Sequence, residues 1–242
     1  MRVYSGSDIG LVRDSNQDYC QTGLFPDHVA WAVVCDGMGG ANGGCTASSV
    51  ATEAISQYMT EGYRSDMTSE QLRELMQQAV QQANTKVYQL SVENFTLRGM
   101  GTTVVCVIVK DGQLHIVHAG DSRAYLYRDG SIHRLTTDHS IVQQLVSAGQ
   151  LTDDQARVHP SRNIITRALG IEAALTTDYT QEHFPDGSEL IVCTDGLCGY
   201  FSDEELCSLV RDTDAEVLIE KLIRAAKNQG GSDNITVAVI TD

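Results

Sequence analysis

The stretch TTVVCVIVKDGQLHIVHAGDSRAYLYRDG, residues 102–130, decides the fold. It holds three apolar runs, 102–110, 114–119 and 124–128, rich in the β-branched and aromatic residues that suit a half-buried strand. Asp111-Gly112 joins the first two, and Asp129-Gly130 closes the third. An Asp-Gly pair between strands suits the positive φ angles of a tight hairpin turn. Strands joined this way are antiparallel, because parallel neighbours need a long crossover connection. Outward from this core, further strands are expected at 31–35, 189–194 and 235–240, with Pro185-Asp-Gly187 a turn ahead of the second. The strands cluster in adjacent pairs rather than alternating regularly with helices. That argues for an α+β arrangement and against a doubly wound parallel sheet.

The helices carry their own start signals. Thr68 followed by Gln71 is a capping-box pattern. It opens a run with Leu72, Leu75, Met76, Ala79, Val80, Ala83, Val87 and Leu90 on one face. Ser202 with Glu205 and Thr213 with Glu216 are two more boxes. They precede helices carrying Leu206, Leu209 and Val210, then Leu218, Ile219, Leu222 and Ile223. An earlier helix is expected over about 44–58. One-sided helices need an apolar surface to cover, so the simplest packing is a four-layer α/β/β/α sandwich: two central, mainly antiparallel sheets flanked by helix pairs.

The 242 residues suit one large domain, 42% apolar, with three prolines and no linker or low-complexity segment. The formal charge of -15 argues against nucleic acid and anionic lipid as partners. No apolar run is long enough to span a bilayer and Met1-Arg2 leads into polar residues, so no membrane insertion and a cytoplasmic location are expected. Seven cysteines with no CxxC pair argue against a zinc ribbon; Cys35, Cys106 and Cys193 read as small buried apolar residues. None of the seven stands at tyrosine-phosphatase spacing before an arginine, which excludes a cysteine mechanism of that type.

Two further Asp-Gly pairs are not hairpins. Asp36-Gly37 follows the strand at 31–35, Asp195-Gly196 follows the one at 189–194, and no second strand follows either at hairpin distance. Asp121 ends another strand run, Asp233 precedes the last one, and Asp18 lies upstream of the first. Any one of these alone reads best as an Asx turn or a cap. As a set they read as a cluster, and crowded carboxylates call for a cation. Oxygen ligands without His or Cys point to Mg²⁺ or Mn²⁺ rather than zinc.

The segments SDIGLVRDSNQD (7–18), DGMGG (36–40), GTT (101–103), GDSR (120–123), TDHS (137–140), TRALG (166–170), TDGL (194–197) and GGSDNIT (230–236) stand in the order of the motifs of the bacterial phosphatase 2C family. The ordered set covers almost the whole chain, which resembles the family's minimal catalytic domain over 1–242, with a variable flap at about 141–165. The resemblance implies metal-dependent hydrolysis of phosphoserine and phosphothreonine in proteins, by in-line attack of a metal-bridging water or hydroxide without a phosphoenzyme. It implies two Mn²⁺ or Mg²⁺ ions held by Asp36, the Gly37 carbonyl, Asp195 and Asp233. A third, weaker ion would use Asp121 with Asp195. It places Asp18 in the surrounding shell, orienting water, and Arg13 on the substrate phosphate, where a planar fork matches two oxygens. Arg13, Asp18 and Asp36 are thus the expected catalytic residues. A cognate Ser/Thr kinase and its targets are the expected partners, and a monomer the expected state.

One departure concerns proton transfer. Many eukaryotic members of the family carry a His, a proposed general acid, where this chain has Met38, and Met cannot donate a proton. His139 is one substitute, although a hydrogen-bonded structural histidine is its better reading; His115 and His118 read as packing residues. Gly39, Gly40, Gly43 and Gly44 lack a P-loop pattern and read as close backbone packing. Two other functions stay open: a metal-dependent phosphatase of small phosphoesters, and an inactive module that senses metals or binds a kinase. The intact Arg13, Asp36, Asp195 and Asp233 argue against the second.

Overall fold

The computed structural model describes the backbone of residues 1–242 and the side chains of all but Ala41 and Asn42. One sheet has five strands in the order β1 (Arg2–Asp8), β11 (Ile235–Thr241), β10 (Glu189–Cys193), β7 (Arg123–Arg128) and β8 (Ser131–Arg134). The other runs β2 (Asp18–Leu24), β3 (Ala30–Met38), β5 (Val104–Lys110), β6 (Gln113–Ala119) and β9 (Asp178–His183), with the short β4 (Gly101–Thr102) pairing β3 as its sixth strand. Every strand pair is antiparallel. At both hairpins the Asp and the Gly take positive φ: 50° and 69° at Asp111-Gly112, 51° and 74° at Asp129-Gly130.

Strand alternation builds three apolar layers. Along β3 and β5, Trp31, Val33, Cys35, Val104, Cys106 and Ile108 face α1 (Gly40–Gly62) and α2 (Ser69–Glu93). Their neighbours Ala30, Ala32, Val34, Val105, Val107 and Val109 face the other sheet, meeting Leu190, Val192, Ala238 and Ile240. On the far side Ile191, Cys193, Val237 and Val239 meet Leu206 of α6 (Asp203–Val210) and Leu218 and Leu222 of α7 (Ala215–Asn228). These layers are the expected four-layer sandwich. No helix among the described residues is long and apolar enough to cross a membrane.

The differences from expectation have local causes. Strands β1, β2, β8 and β9 give little apolar signal because each is the outer strand of its sheet and half exposed; outer strands carry polar residues that discourage further pairing. Helix α1 begins at Gly40 rather than 44 and ends at Gly62. The boxes at Thr68 and Ser202 form with both reciprocal bonds. The one at Thr213 does not: Asp214, one residue on, caps α7 by accepting from the Glu216 N–H, while Thr213 Oγ1 accepts from Lys221 Nζ. The segment at 141–165 holds two short helices, α3 (Ile141–Ser147) and α4 (Asp153–Arg157).

Candidate metal centre

Antiparallel topology explains why the aspartates meet. Asp36 lies near the end of β3 and Asp18 at the start of β2, directly opposite each other in the ladder. Asp121 follows the end of β6. Asp195 follows the end of β10, as the first residue of α5 (Asp195–Cys198), and Asp233 precedes the start of β11. In antiparallel neighbours the end of one strand and the start of the next share a rim. Stacking the two sheets then brings both rims together.

Hydrogen bonds join the rims: Thr194 Oγ1 donates to Asp18 Oδ2, and Thr103 Oγ1 accepts from Asp36 N and meets Ser122 Oγ, next to Asp121. Burial pushes Asp18 up to about 7, with Asp195 and Asp233 adding to it against hydrogen bonds from Thr236 and Thr194. Asp36 is driven well above the ordinary carboxylate range by burial and then by Asp18, Asp195, Asp121 and Asp233. Asp121 is driven likewise by burial, Asp195 and Asp138. Asp195 is raised by burial and Asp233. Asp18 Oδ2 accepts from Thr194 Oγ1 at 2.8 Å, yet Asp18 Oδ1 and Asp195 Oδ1 are buried without a hydrogen-bond partner. Orphaned carboxylate oxygens among mutually repelling carboxylates suit a hard divalent cation, and an all-oxygen donor set suits Mg²⁺ or Mn²⁺.

A carboxyl whose pKa is higher folded than unfolded binds more protons when folded, so stability falls as pH rises between the two values. For Asp18 that window runs from 3.8 to about 7. Metal-free protein should therefore lose stability across it, and a cation should offset the loss. The rise in melting temperature on adding Mn²⁺, measured by scanning fluorimetry against EDTA, should be larger at about pH 7.5 than at about pH 5. An equal rise at both would contradict the cluster's electrostatics.

Arg13 rides on the β1–β2 loop, which Asn234 pins to the start of β11. Asn234 Nδ2 donates to the carbonyls of Ile9 (2.9 Å) and Ser15 (3.0 Å), its Oδ1 accepts from Gln17 N, and Leu11 N donates to Gly231 O. The half-exposed Arg13 is held over the cluster by an ion pair from its Nη2 to Asp233 Oδ2 at 2.7 Å. Gly37 permits the close approach of α1 to the end of β3: a Cβ there would lie 2.1 Å from the Gly44 carbonyl oxygen. The close packing expected of the neighbouring glycines holds at Gly39 and Gly43, where a Cβ would press on Met100, and at Gly44, where it would press on Gln17 and the Gly37 carbonyl; at Gly40 nothing lies within 4 Å, and its positive φ of 57° is what glycine permits there. Met38 stands opposite Gly101 in the β3–β4 ladder.

His139 is a hydrogen-bonded structural histidine. Its Nδ1 accepts from Gly120 N at 3.1 Å, its Nε2 faces Asp178 Oδ2 at 3.2 Å, and its ring stacks on His118 with centroids 4.7 Å apart. His115 and His118 are buried, as expected of packing residues. His118, His139 and Asp178 could offer ligand atoms within 4.8 Å of one another. With Nδ1 accepting, however, His139 Nε2 carries the proton, and the Arg167 cation lies 3.0 Å from it. Both features oppose a metal ion there.

Several supporting residues escaped assignment from sequence although they sit inside the quoted motifs: Asn234, Thr194, Asp138, Arg123, and Thr103, whose Oγ1 accepts from Asp36 N. Asn234, Thr194 and Arg123 stand within two residues of a cluster aspartate, whereas Thr103 and Asp138 do not, and the bonds of Asn234 to Ile9, Thr194 to Asp18 and Thr103 to Asp36 join residues far apart in the chain.

A family model for protein phosphatase 2C matches residues 12–236. The serine/threonine phosphatase stp of Listeria monocytogenes is 34% identical over 239 residues, covering 97% of this chain and 93% of that protein. The Streptococcus agalactiae serine/threonine phosphatase superposes with a TM-score of 0.91 at 32% identity, covering 100% of this chain and 99% of that one. The catalytic domain of the serine/threonine protein phosphatase PstP, solved in complex with 2 manganese ions, superposes with a TM-score of 0.86 at 31% identity, covering 100% and 98%.

Proposed function

This chain belongs to the protein phosphatase 2C family, and from that premise we propose how its acidic cluster serves phosphate hydrolysis. The protein is a metal-dependent protein serine/threonine phosphatase, a hydrolase of phosphoserine and phosphothreonine in proteins. The observation that supports the site assignment best is the gathering of mutually repelling carboxylates, two with orphaned oxygens, at one rim of the sandwich. Asp36, the Gly37 carbonyl, Asp195 and Asp233 would hold two Mn²⁺ or Mg²⁺ ions, and Asp121 with Asp195 a third, weaker one. Bound divalent cations supply a water of lowered pKa and positive charge against the transferring phosphoryl oxygens.

The protein's own groups do the rest. Arg13, tethered over the cluster, offers its fork to the phosphate oxygens and swings between Asp233 and substrate. Asp18, fixed at Oδ2 by Thr194, presents Oδ1 to accept a hydrogen bond from water. The chain works as one domain and a cytoplasmic monomer, and its partners are a bacterial Ser/Thr kinase and that kinase's targets.

Hydrolysis of p-nitrophenyl phosphate and of a phosphothreonine peptide should proceed with Mn²⁺ or Mg²⁺ and stop with EDTA, with the peptide the better substrate by kcat/KM. Well-folded protein that is inactive with every metal would overturn the reading. A preference for the small ester would move the substrate class away from proteins.

A further inference from the structure

The turn bearing Asp121 is held from both sides by two consecutive residues of a distant segment. Both polar backbone atoms of Gly120 are taken by His139: Gly120 N donates to its Nδ1 at 3.1 Å, and His139 N donates to Gly120 O at 2.8 Å. Beyond Asp121, Arg123 grips Asp138 through Nε at 2.9 Å and Nη2 at 2.7 Å. Between them Ser122 Oγ meets Thr103 Oγ1 at 2.8 Å. Residues 120, 122 and 123 are thereby anchored, while the buried Asp121 carboxylate is left to interact with Asp195.

His139 is also where the flap is rooted. Thr166 N donates to His139 O at 2.7 Å, Ile141 N donates to Ile164 O at 3.0 Å, and Ser140 bridges Ile165. Both ends of the 141–165 segment therefore close on the residue that holds Gly120. The ring's state is set by its neighbours. Nδ1 accepts, so Nε2 bears the proton and faces Asp178, whose other oxygen is tied to Arg167 Nη1 at 2.7 Å.

We propose that His139 is a positioning residue for Asp121: through Nδ1 and its main chain it fixes the Gly120 turn, so that the Asp121 carboxylate is aimed at a cation while the flap is rooted on the same residue. This rests on the reading of Asp121 as a ligand. Groups that orient a metal ligand from behind commonly change affinity by about 10–100-fold when removed.

The test is calorimetric titration of metal-free protein with Mn²⁺, for wild type, Asp121→Asn, His139→Asn and His139→Phe, with melting curves alongside. Asp121→Asn should abolish or weaken the weakest binding step. His139→Phe keeps the stacking on His118 but cannot accept from Gly120 N; it should loosen the same step about tenfold and leave the tighter steps alone. His139→Asn retains an acceptor, Oδ1, where Nδ1 stood, and should bind as wild type does. A folded His139→Phe with wild-type affinities overturns the proposal. So does a His139→Asn that loses the weak step, an arm that stands even if the Phe variant does not fold. If no step in the wild type responds to Asp121→Asn, the ligand reading of Asp121 fails, and the inference falls with it.

Discussion

Replacing Asp36 with Asn should lower phosphatase turnover by about 100-fold or more, because it removes a charge that would hold the cations on which hydrolysis depends, while making the metal-free protein more stable. The two effects share one cause. Asp36 faces Asp18, Asp195, Asp121 and Asp233, and its carboxylate is disfavoured by burial and by all four. Asparagine keeps the shape and removes the repulsion, so the metal-free fold gains; each kcal/mol relieved is worth about 2–4 °C of melting temperature in a chain of this size. The same change removes a charge the cations require, so the stabilisation by Mn²⁺ shrinks. Turnover of a phosphothreonine peptide and melting curves with EDTA or Mn²⁺ check both halves. A variant that loses activity and also melts lower without metal would mean that Asp36 supports the fold by some contact other than the cluster.

Arg13→Ala should reduce kcat/KM by about 100-fold, the loss of two charge-assisted hydrogen bonds at about 1.5 kcal/mol each. Arg13→Lys should recover only part of it, because an ammonium is a point charge and cannot match two oxygens with a fork. The side chain now lies on Asp233, so its removal leaves the acidic cluster more negative and should tighten cation binding slightly. Weaker catalysis with undiminished Mn²⁺ affinity is thus the signature of a phosphate-binding arginine. Loss of Mn²⁺ affinity with an unchanged KM would instead make Arg13 a prop for Asp233. Steady-state kinetics on the peptide and Mn²⁺ titration distinguish the two.

The interior of the fold was legible in sequence because burial writes itself as composition. The run at 104–109 is wholly apolar since it is covered on both faces, by α1 and α2 on one side and by the second sheet on the other. The outermost strands were not legible: Arg2–Asp8 and Asp178–His183 each pair with a single neighbour and carry polar side chains. At Thr213 the pattern of a cap was present, but the adjacent Asp214 accepted the helix N–H instead. Among site residues, Asp36 and Asp195 stood out because an Asp-Gly pair after a strand with no strand beyond it lacks the hairpin explanation. The supporting shell was hidden for the opposite reason. Asn234 acts on Ile9 and Ser15, and His139 acts on Gly120. Contacts across such separations leave no local pattern, and nothing in the residue types announces them.

The central claim is that the strand-end aspartates hold the catalytic cations, and diffraction from Mn²⁺-soaked crystals at the manganese absorption edge tests it most directly. Anomalous peaks are expected within ligand distance of Asp36, Asp195 and Asp233, with a weaker one at Asp121. Peaks confined to His118, His139 and Asp178, with none at the strand ends, would contradict the account.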